Sequence, residues 1–195
     1  TGFNAAPVHP VPGGRLVAPS ECGHVTLPVR TERDLALMRY VETAHGFAGV
    51  EDVLSGRGLE RLCAFHAKAA GDETRRSAAE IMAAMAAGTD PVVERTGRDF
   101  VRLLGMVAGD LALIHVPHAG IHLIGGVARA FTPHYARFGF AEAFCDKGRF
   151  SGFMQDFAVS IVEDDYLALA GCALFLADGL ADCPPLACCA PGVAP

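Results

Sequence analysis

Two stretches carry residue types that can hold a polyhydroxylated molecule: Ser20-Glu21-Cys22-Gly23-His24, and Glu51 thirty positions further on. A neutral sugar presents many hydroxyl donors, and ionised carboxylates accept from them in charge-assisted hydrogen bonds roughly twice as strong as neutral ones. Glu21 and Glu51 supply such acceptors. An imidazole can donate from one ring nitrogen and accept at the other, so His24 can meet a hydroxyl while orienting a carboxylate. Taken singly, Glu21 and Glu51 read more readily as ordinary surface or capping carboxylates, and His24 also has a reading as a structural histidine. Cys22 and His24 stand two apart with no second ligand pair nearby, which is not the spacing of a zinc site.

Positioning such groups needs a folded core, and the composition provides for one. In 195 residues, 51% are hydrophobic, and a domain of that length buries roughly 70% of its unfolded surface. One domain is expected, with two small ones as the alternative. The formal charge of −6, without a long Lys/Arg run, argues against nucleic-acid partners and against anionic membrane surfaces. The longest uncharged apolar run, Tyr166 to Ala177, is too short to span a bilayer and reads as a buried helix. No secretory signal opens the sequence. Seven cysteines without a CxxC pair are read as reduced thiols in a cytoplasmic protein. The opening Thr1-Gly2-Phe3-Asn4 is read as the cut edge of a longer chain.

Along the chain, residues 5–19 alternate around Pro12-Gly13-Gly14 and predict a hairpin, with Glu21 and His24 following its second strand. Thr31 with Asp34 forms a capping box, Leu35, Leu37, Met38, Val41 and Ala44 keep helical spacing, and Gly46 offers a stop. Val50 to Leu54 brings in Glu51, and Ser55-Gly56-Arg57-Gly58-Leu59 is read as a turn into a helix from Leu59 to Ala69. The Gly-x-Gly there is no dinucleotide fingerprint, because Arg61 stands where a third glycine is required. Ser77 and Glu80 open a short helix ending at Gly88, and Asp90-Pro91 opens a long one with Val93, Phe100, Leu103, Leu104, Val107, Leu111 and Ile114 on its core face.

Ile121 to Ile124 predicts a short buried strand running into Gly125-Gly126 and a helix, an arrangement whose missing side chains let a ligand approach the backbone. There is no P-loop motif. Lys147 and Arg149 are read as solvated charges of a turn. Phe157 to Val162 is the last predicted strand, an apolar helix follows from Tyr166, and the Pro/Ala/Cys-rich tail is expected to be disordered.

Four ordered stretches then carry a resemblance: Ser20-Glu-Cys-Gly-His24 to E-G-G-H, Val50-Glu-Asp-Val-Leu-Ser-Gly-Arg-Gly-Leu59 to E-x-V-L-S-G-x-G-L, Ile121-His-Leu-Ile-Gly-Gly-Val127 to a strand with a G-G turn, and Ala143-Phe-Cys-Asp-Lys-Gly-Arg-Phe150 to A-F-x-x-K-G-R-F. The sequence resembles the C-terminal large-domain portion of bacterial glucokinases, the ATP-dependent, non-ROK group of the sugar-kinase, actin-like ATPase superfamily. The resemblance covers residues 1–177, and 178–195 form the tail.

It implies an α/β fold of the actin-like, ribonuclease H-like kind, a mixed β-sheet with helices on both faces, truncated at its N-terminus. It implies phosphoryl transfer from ATP with Mg2+ to glucose, glucose binding at Glu21, His24 and Glu51, and ATP contacts at Thr1, Gly2, Gly125 and Gly126. No metal ligand is assigned in this chain. The resemblance places the general-base aspartate upstream of Thr1, so the chain alone is expected to be inactive. A homodimer is expected from apolar surface left uncovered. Cys22, where the family usually has glycine, puts a side chain beside the sugar. Two readings of other classes stand beside this one: a non-catalytic sugar-sensing module, and a glycoside hydrolase using Glu21 and Glu51 as an acid/base pair roughly 5–9.5 Å apart.

Overall fold

The computed structural model describes residues 2–12, 14–164 and 166–181, the last four as backbone only. Local signals fix most helix ends. The Thr31 hydroxyl accepts the Asp34 amide at 3.2 Å while the Asp34 carboxylate accepts the Thr31 amide at 2.9 Å, closing a capping box in which aspartate does the work of the usual glutamate. Helix α1 (Glu32–His45) runs from this cap to Gly46, whose φ of 73° is the left-handed stop. Helix α2 (Gly56–Ala69) starts earlier than its sequence suggests. The predicted turn is the helix's first turn, because the Ser55 hydroxyl caps the Gly58 amide at 2.9 Å. A side chain at Gly58 would meet the Val53 carbonyl at 2.3 Å.

Helices α3 (Ala78–Ala87) and α4 (Pro91–His115) begin at the predicted Ser77 and Asp90 caps. α4, about 37 Å long at 1.5 Å per residue, is the axis of the molecule. Val93, Phe100, Leu103, Leu104 and Val107 all lie in the core as their spacing predicts. Ile114 does not: it is 69% exposed, so the apolar stripe leaves the core before the helix ends. Short helix α6 (Phe140–Cys145) lies against α4, where Gly105 and Gly109 hold open the space it occupies. A Cβ at Gly105 would stand 2.8 Å from the Phe140 carbonyl, and one at Gly109 2.6 Å from that of Phe144.

Lys147 is not a solvated turn charge. Its ammonium reaches the Asp110 carboxylate at 2.6 Å and the Met106 carbonyl at 2.9 Å, and its side chain is only 11% exposed. The long aliphatic stem packs along α4 while the charged end finds acceptors. Arg149 lies over the Phe150 ring at 5.5 Å.

Among the described residues there is no single mixed sheet, only two separate two-stranded ones. β1 (Val8–Val11) and β2 (Gly14–Val17) form the predicted antiparallel hairpin, with Val8 opposite Val17 and both faces exposed. β3 (Ile121–Leu123) pairs in parallel with β4 (Val159–Ile161), linked by α5 (Gly126–Ala130) and α6. β3 is half-buried rather than buried: Ile121 and Leu123 pack on the core, whereas His122 faces out and bonds Ser160 on β4 at 2.7 Å. Its apolar-polar-apolar order dictates this, since alternate side chains point to opposite faces. Helix α7 (Leu167–Ala181) is exposed, not buried: Leu169 is 67% and Phe175 78% exposed. Residues 182–195 of the predicted disordered tail lie outside the described residues.

A charged cluster ties α1, α2 and α4 together beneath the surface. Asp34 is fully buried and pairs with Arg102, which also reaches Asp99 at 3.4 Å. The Asp99 carboxylate lies 3.0 Å from buried His66 Nε2, close but poorly aligned for a hydrogen bond. Burial acts to raise the pKa of both aspartates, yet both are held below the ordinary carboxylate value: Asp34 by hydrogen bonds from Arg102, the Arg30 amide and Thr31, Asp99 by His66 and the charges of Arg102 and Arg33. Depressed carboxylates stabilise the fold above their unfolded pKa of about 3.9 and lose that contribution as pH falls through the lower folded value. The urea midpoint is therefore expected to fall steeply below about pH 4, and Asp99→Asn is expected to flatten that fall. A midpoint independent of pH between 6 and 3 would contradict it.

Candidate functional site

The two stretches singled out in the sequence meet in space. Cys22–His24 forms a single 3-10 turn, closed by the His24 amide on the Glu21 carbonyl at 3.0 Å. The chain then runs antiparallel to residues 48–51, bridging Thr26 to Gly49. Leu27 donates to Ala48 at 2.9 Å, Val50 to Val25 at 3.0 Å, and Glu51 to the Gly23 carbonyl at 2.8 Å. Buried Leu27, Ala48, Val50 and Val53 anchor this seam. Glu51 is thereby held beside the turn that carries Glu21 and His24.

Glu21 and His24 present their polar ends to solvent, with side chains 85% and 70% exposed and His24 Nε2 3.9 Å from the Glu21 carboxylate. Glu51 is more constrained. Its Oε2 accepts the Phe3 amide at 3.0 Å, and Gly2 leans directly on it: a Cβ at Gly2 would stand 2.0 Å from Oε2. Gly23 is forced by the same crowding, since a Cβ there would meet the Phe3 carbonyl oxygen at 2.1 Å. Of the glycines in the sugar-side stretch, this one admits no replacement, whereas the Cys22 position has room for its side chain. The Cys22 thiol is half-buried and donates to Asn4 Oδ1 at 3.5 Å.

Asn4 was not visible as a functional residue in the sequence. Its amide nitrogen donates to the Ser20 carbonyl, and its oxygen also accepts the Ala5 amide at 2.9 Å. Asn4 thus staples the segment after Gly2 to the Glu21–His24 turn. The only available signal was its place two residues after Gly2, a candidate ATP contact. Asp52 was missed too: it accepts the Gly49 amide at 3.0 Å and pairs with Arg61 at 3.2 Å, stiffening the bend that carries Glu51.

Of the nucleotide-side candidates, Thr1 lies outside the described residues, and Gly2 packs on Glu51 as above. Gly125 has φ 111° and stands immediately before α5, and beside both Gly125 and Gly126 the space where a side chain would begin is open. Such a strand-to-helix turn leaves backbone amides accessible to a ligand. Among the described residues no group of three or more His, Cys, Asp or Glu is arranged to hold a metal ion. No described helix is long and apolar enough to cross a membrane.

With this geometry in place, comparison with known proteins is informative. The glucokinase family model matches residues 1–179. A glucokinase of Mesorhizobium japonicum is 37% identical over 161 residues, which is 82% of this chain and 47% of that protein. One of Pseudomonas aeruginosa is 33% identical over 182 residues, 92% of this chain and 55% of that protein. The chain spans about half the length of the curated relatives it matches. Among solved structures, a glucokinase from an Antarctic psychrotroph superposes with a TM-score of 0.81 at 30% identity, covering 91% of this chain and 56% of that one. A Balamuthia mandrillaris glucokinase, solved in complex with glucose, shares the fold with a TM-score of 0.72 at 20% identity, over 85% of this chain and 48% of its own. The fold is that of the sugar kinases, and by its match over nearly the whole described length the chain belongs to the glucokinase family.

Proposed function

We propose that this chain is the glucose-binding portion of an ATP-dependent glucokinase, which transfers the γ-phosphoryl group of Mg-ATP to the 6-hydroxyl of D-glucose to give glucose 6-phosphate and ADP. The observation that carries this is the seam joining Glu51 to the Cys22–His24 turn, with the Phe3 amide and Gly2 packed on the Glu51 carboxylate. Residues far apart in sequence converge on one patch of hydroxyl acceptors. Glu21, His24 and Glu51 hold the sugar, and the fixed Glu51 carboxylate orients it. Gly2, Gly125 and Gly126 are assigned to the nucleotide, as is Thr1 by the sequence resemblance. ATP supplies the transferred group, its charge being met by Mg2+.

The frame is the actin-like ATPase fold, in which the β3–β4 pair belongs to a larger mixed sheet. Exposed apolar residues on α7 support self-association as a homodimer, and the free thiols of Cys22, Cys63, Cys145 and Cys172 fit a cytoplasmic setting. No described residue is assigned as general base on the 6-hydroxyl, so the chain alone binds glucose without turnover. Calorimetric titration of glucose tests this reading. Glu51→Gln is expected to weaken binding at least about tenfold, since a hydrogen bond to a charged acceptor contributes roughly 1.5–3 kcal/mol. A coupled assay on the chain alone is expected to show no glucose 6-phosphate. Absence of glucose binding by the unmodified chain, or normal turnover by it, would overturn the proposal.

A further inference from the structure

Between α1 and the last turns of α2 runs a groove of about 470 Å³, lined by none of the residues assigned to sugar or nucleotide. Ala36, Tyr40 and Thr43 line it from α1 at one-turn intervals, and Phe65 and Ala69 face them from α2. The rise from Ala36 to Thr43 is about 10 Å, so the groove is an elongated trough two turns long. Its floor is fixed. The Tyr40 and Phe65 rings meet with centroids 5.4 Å apart, and both side chains are half-buried against the core.

One exposed cation from each helix completes the lining, Arg39 from α1 and Lys68 from α2. Lys68 holds its ammonium 5.9 Å from the centroid of the Tyr40 ring, and the Arg39 side chain has no ion pair or hydrogen bond among the described residues. Acidic neighbours stand at helical spacing from both but leave them unneutralised. Glu42, three positions after Arg39, forms no pair with it, and Asp72, four after Lys68, is committed to Arg76 at 2.9 Å. No carboxylate lines the groove. In a chain of net charge −6 it is therefore a patch of the opposite sign.

We propose that this groove is a docking surface for an acidic segment of a partner polypeptide, in which an aromatic or large aliphatic side chain is flanked by aspartate or glutamate. The apolar anchor lies on Tyr40 and Phe65, and the flanking carboxylates meet Arg39 and Lys68, supplying the charge that the chain itself withholds. An amphipathic helix presents anchor and carboxylates on one face at the i, i+3 and i+4 spacing that such a trough takes. Two cations are too few for a nucleic acid or an anionic membrane, which need an extended basic surface. Repulsion between like charges disfavours the same face of a second copy.

A labelled peptide of about 15 residues, the length at which an isolated helix forms, tests the surface when it carries one phenylalanine flanked by glutamates at helical spacing. Fluorescence anisotropy with the unmodified chain is expected to show saturable binding that weakens as salt rises. Replacing Arg39 and Lys68 together by glutamate is expected to weaken it at least about tenfold through repulsion, while the glucose isotherm stays in place. Replacing the peptide's phenylalanine by alanine is expected to cost at least about tenfold as well. No binding by the unmodified chain, or unchanged peptide affinity in the folded double variant, overturns the surface. Equal affinity for a peptide with lysines in place of its glutamates overturns the charge complementarity. Binding of single-stranded DNA or of phosphatidylserine vesicles that disappears in the double variant, without peptide binding, assigns the patch to another class of partner and overturns the proposal.

Discussion

Replacing Gly23 with alanine is expected to abolish measurable glucose binding without unfolding the chain. The added methyl would lie 2.1 Å from the Phe3 carbonyl oxygen and 3.2 Å from its carbon. Both are backbone atoms, so no rotamer change relieves the clash, and the segment carrying Phe3 has to move. That motion breaks the Phe3 amide bond to Glu51 Oε2 and lifts Gly2 from the carboxylate, freeing Glu51 to sample orientations that do not meet a sugar. Loss of a hydrogen bond to a charged acceptor costs roughly 1.5–3 kcal/mol, about ten- to a hundredfold in affinity. Calorimetry reads the loss, and circular dichroism shows whether the fold is kept. Retention of wild-type affinity in a folded Gly23→Ala variant would show that Glu51 does not depend on its contact with residues 2 and 3.

The second large effect is on stability. Asp34→Ala is expected to lower the unfolding free energy by about 3 kcal/mol, the low end of the ~3–5 kcal/mol lost when one partner of a buried ion pair is removed. Arg102, 29% exposed, can recover some solvation, which places the effect at that end. The carboxylate also accepts the Arg30 and Thr31 amides at 3.0 and 2.9 Å, so the α1 cap goes with it. At ~2–4 °C per kcal/mol for a chain of this size, the melting temperature falls by roughly 6–12 °C. A loss under about 1 kcal/mol in urea unfolding would mean that the cluster contributes nothing beyond a surface pair.

Asp34 also marks where reading the sequence stops. Its capping role was legible, because a cap is a contact between residues three apart. Its pairing with Arg102 was not, because 68 positions separate them and only the packing of α1 on α4 brings them together. Lys147 makes the same point from the other side. In a turn rich in Gly and Arg its charge reads as solvated, yet Gly109 on α4 clears the channel through which it reaches Asp110. The alternation in Ile121-His122-Leu123 was present in the sequence and predicts a half-buried strand, so the expectation of full burial overlooked a signal that was there.

The sequence by itself determined the helix boundaries set by capping residues, the apolar face of α4, and the candidacy of Glu21, His24 and Glu51 for binding hydroxyls, because side-chain chemistry and short-range geometry are properties of neighbours on the chain. Only the tertiary structure decided that Gly2, Phe3 and Asn4 brace those residues, and that Asp34, His66, Asp99 and Arg102 share one buried cluster. These are contacts between segments whose approach is set by how the core packs, and no local pattern encodes them.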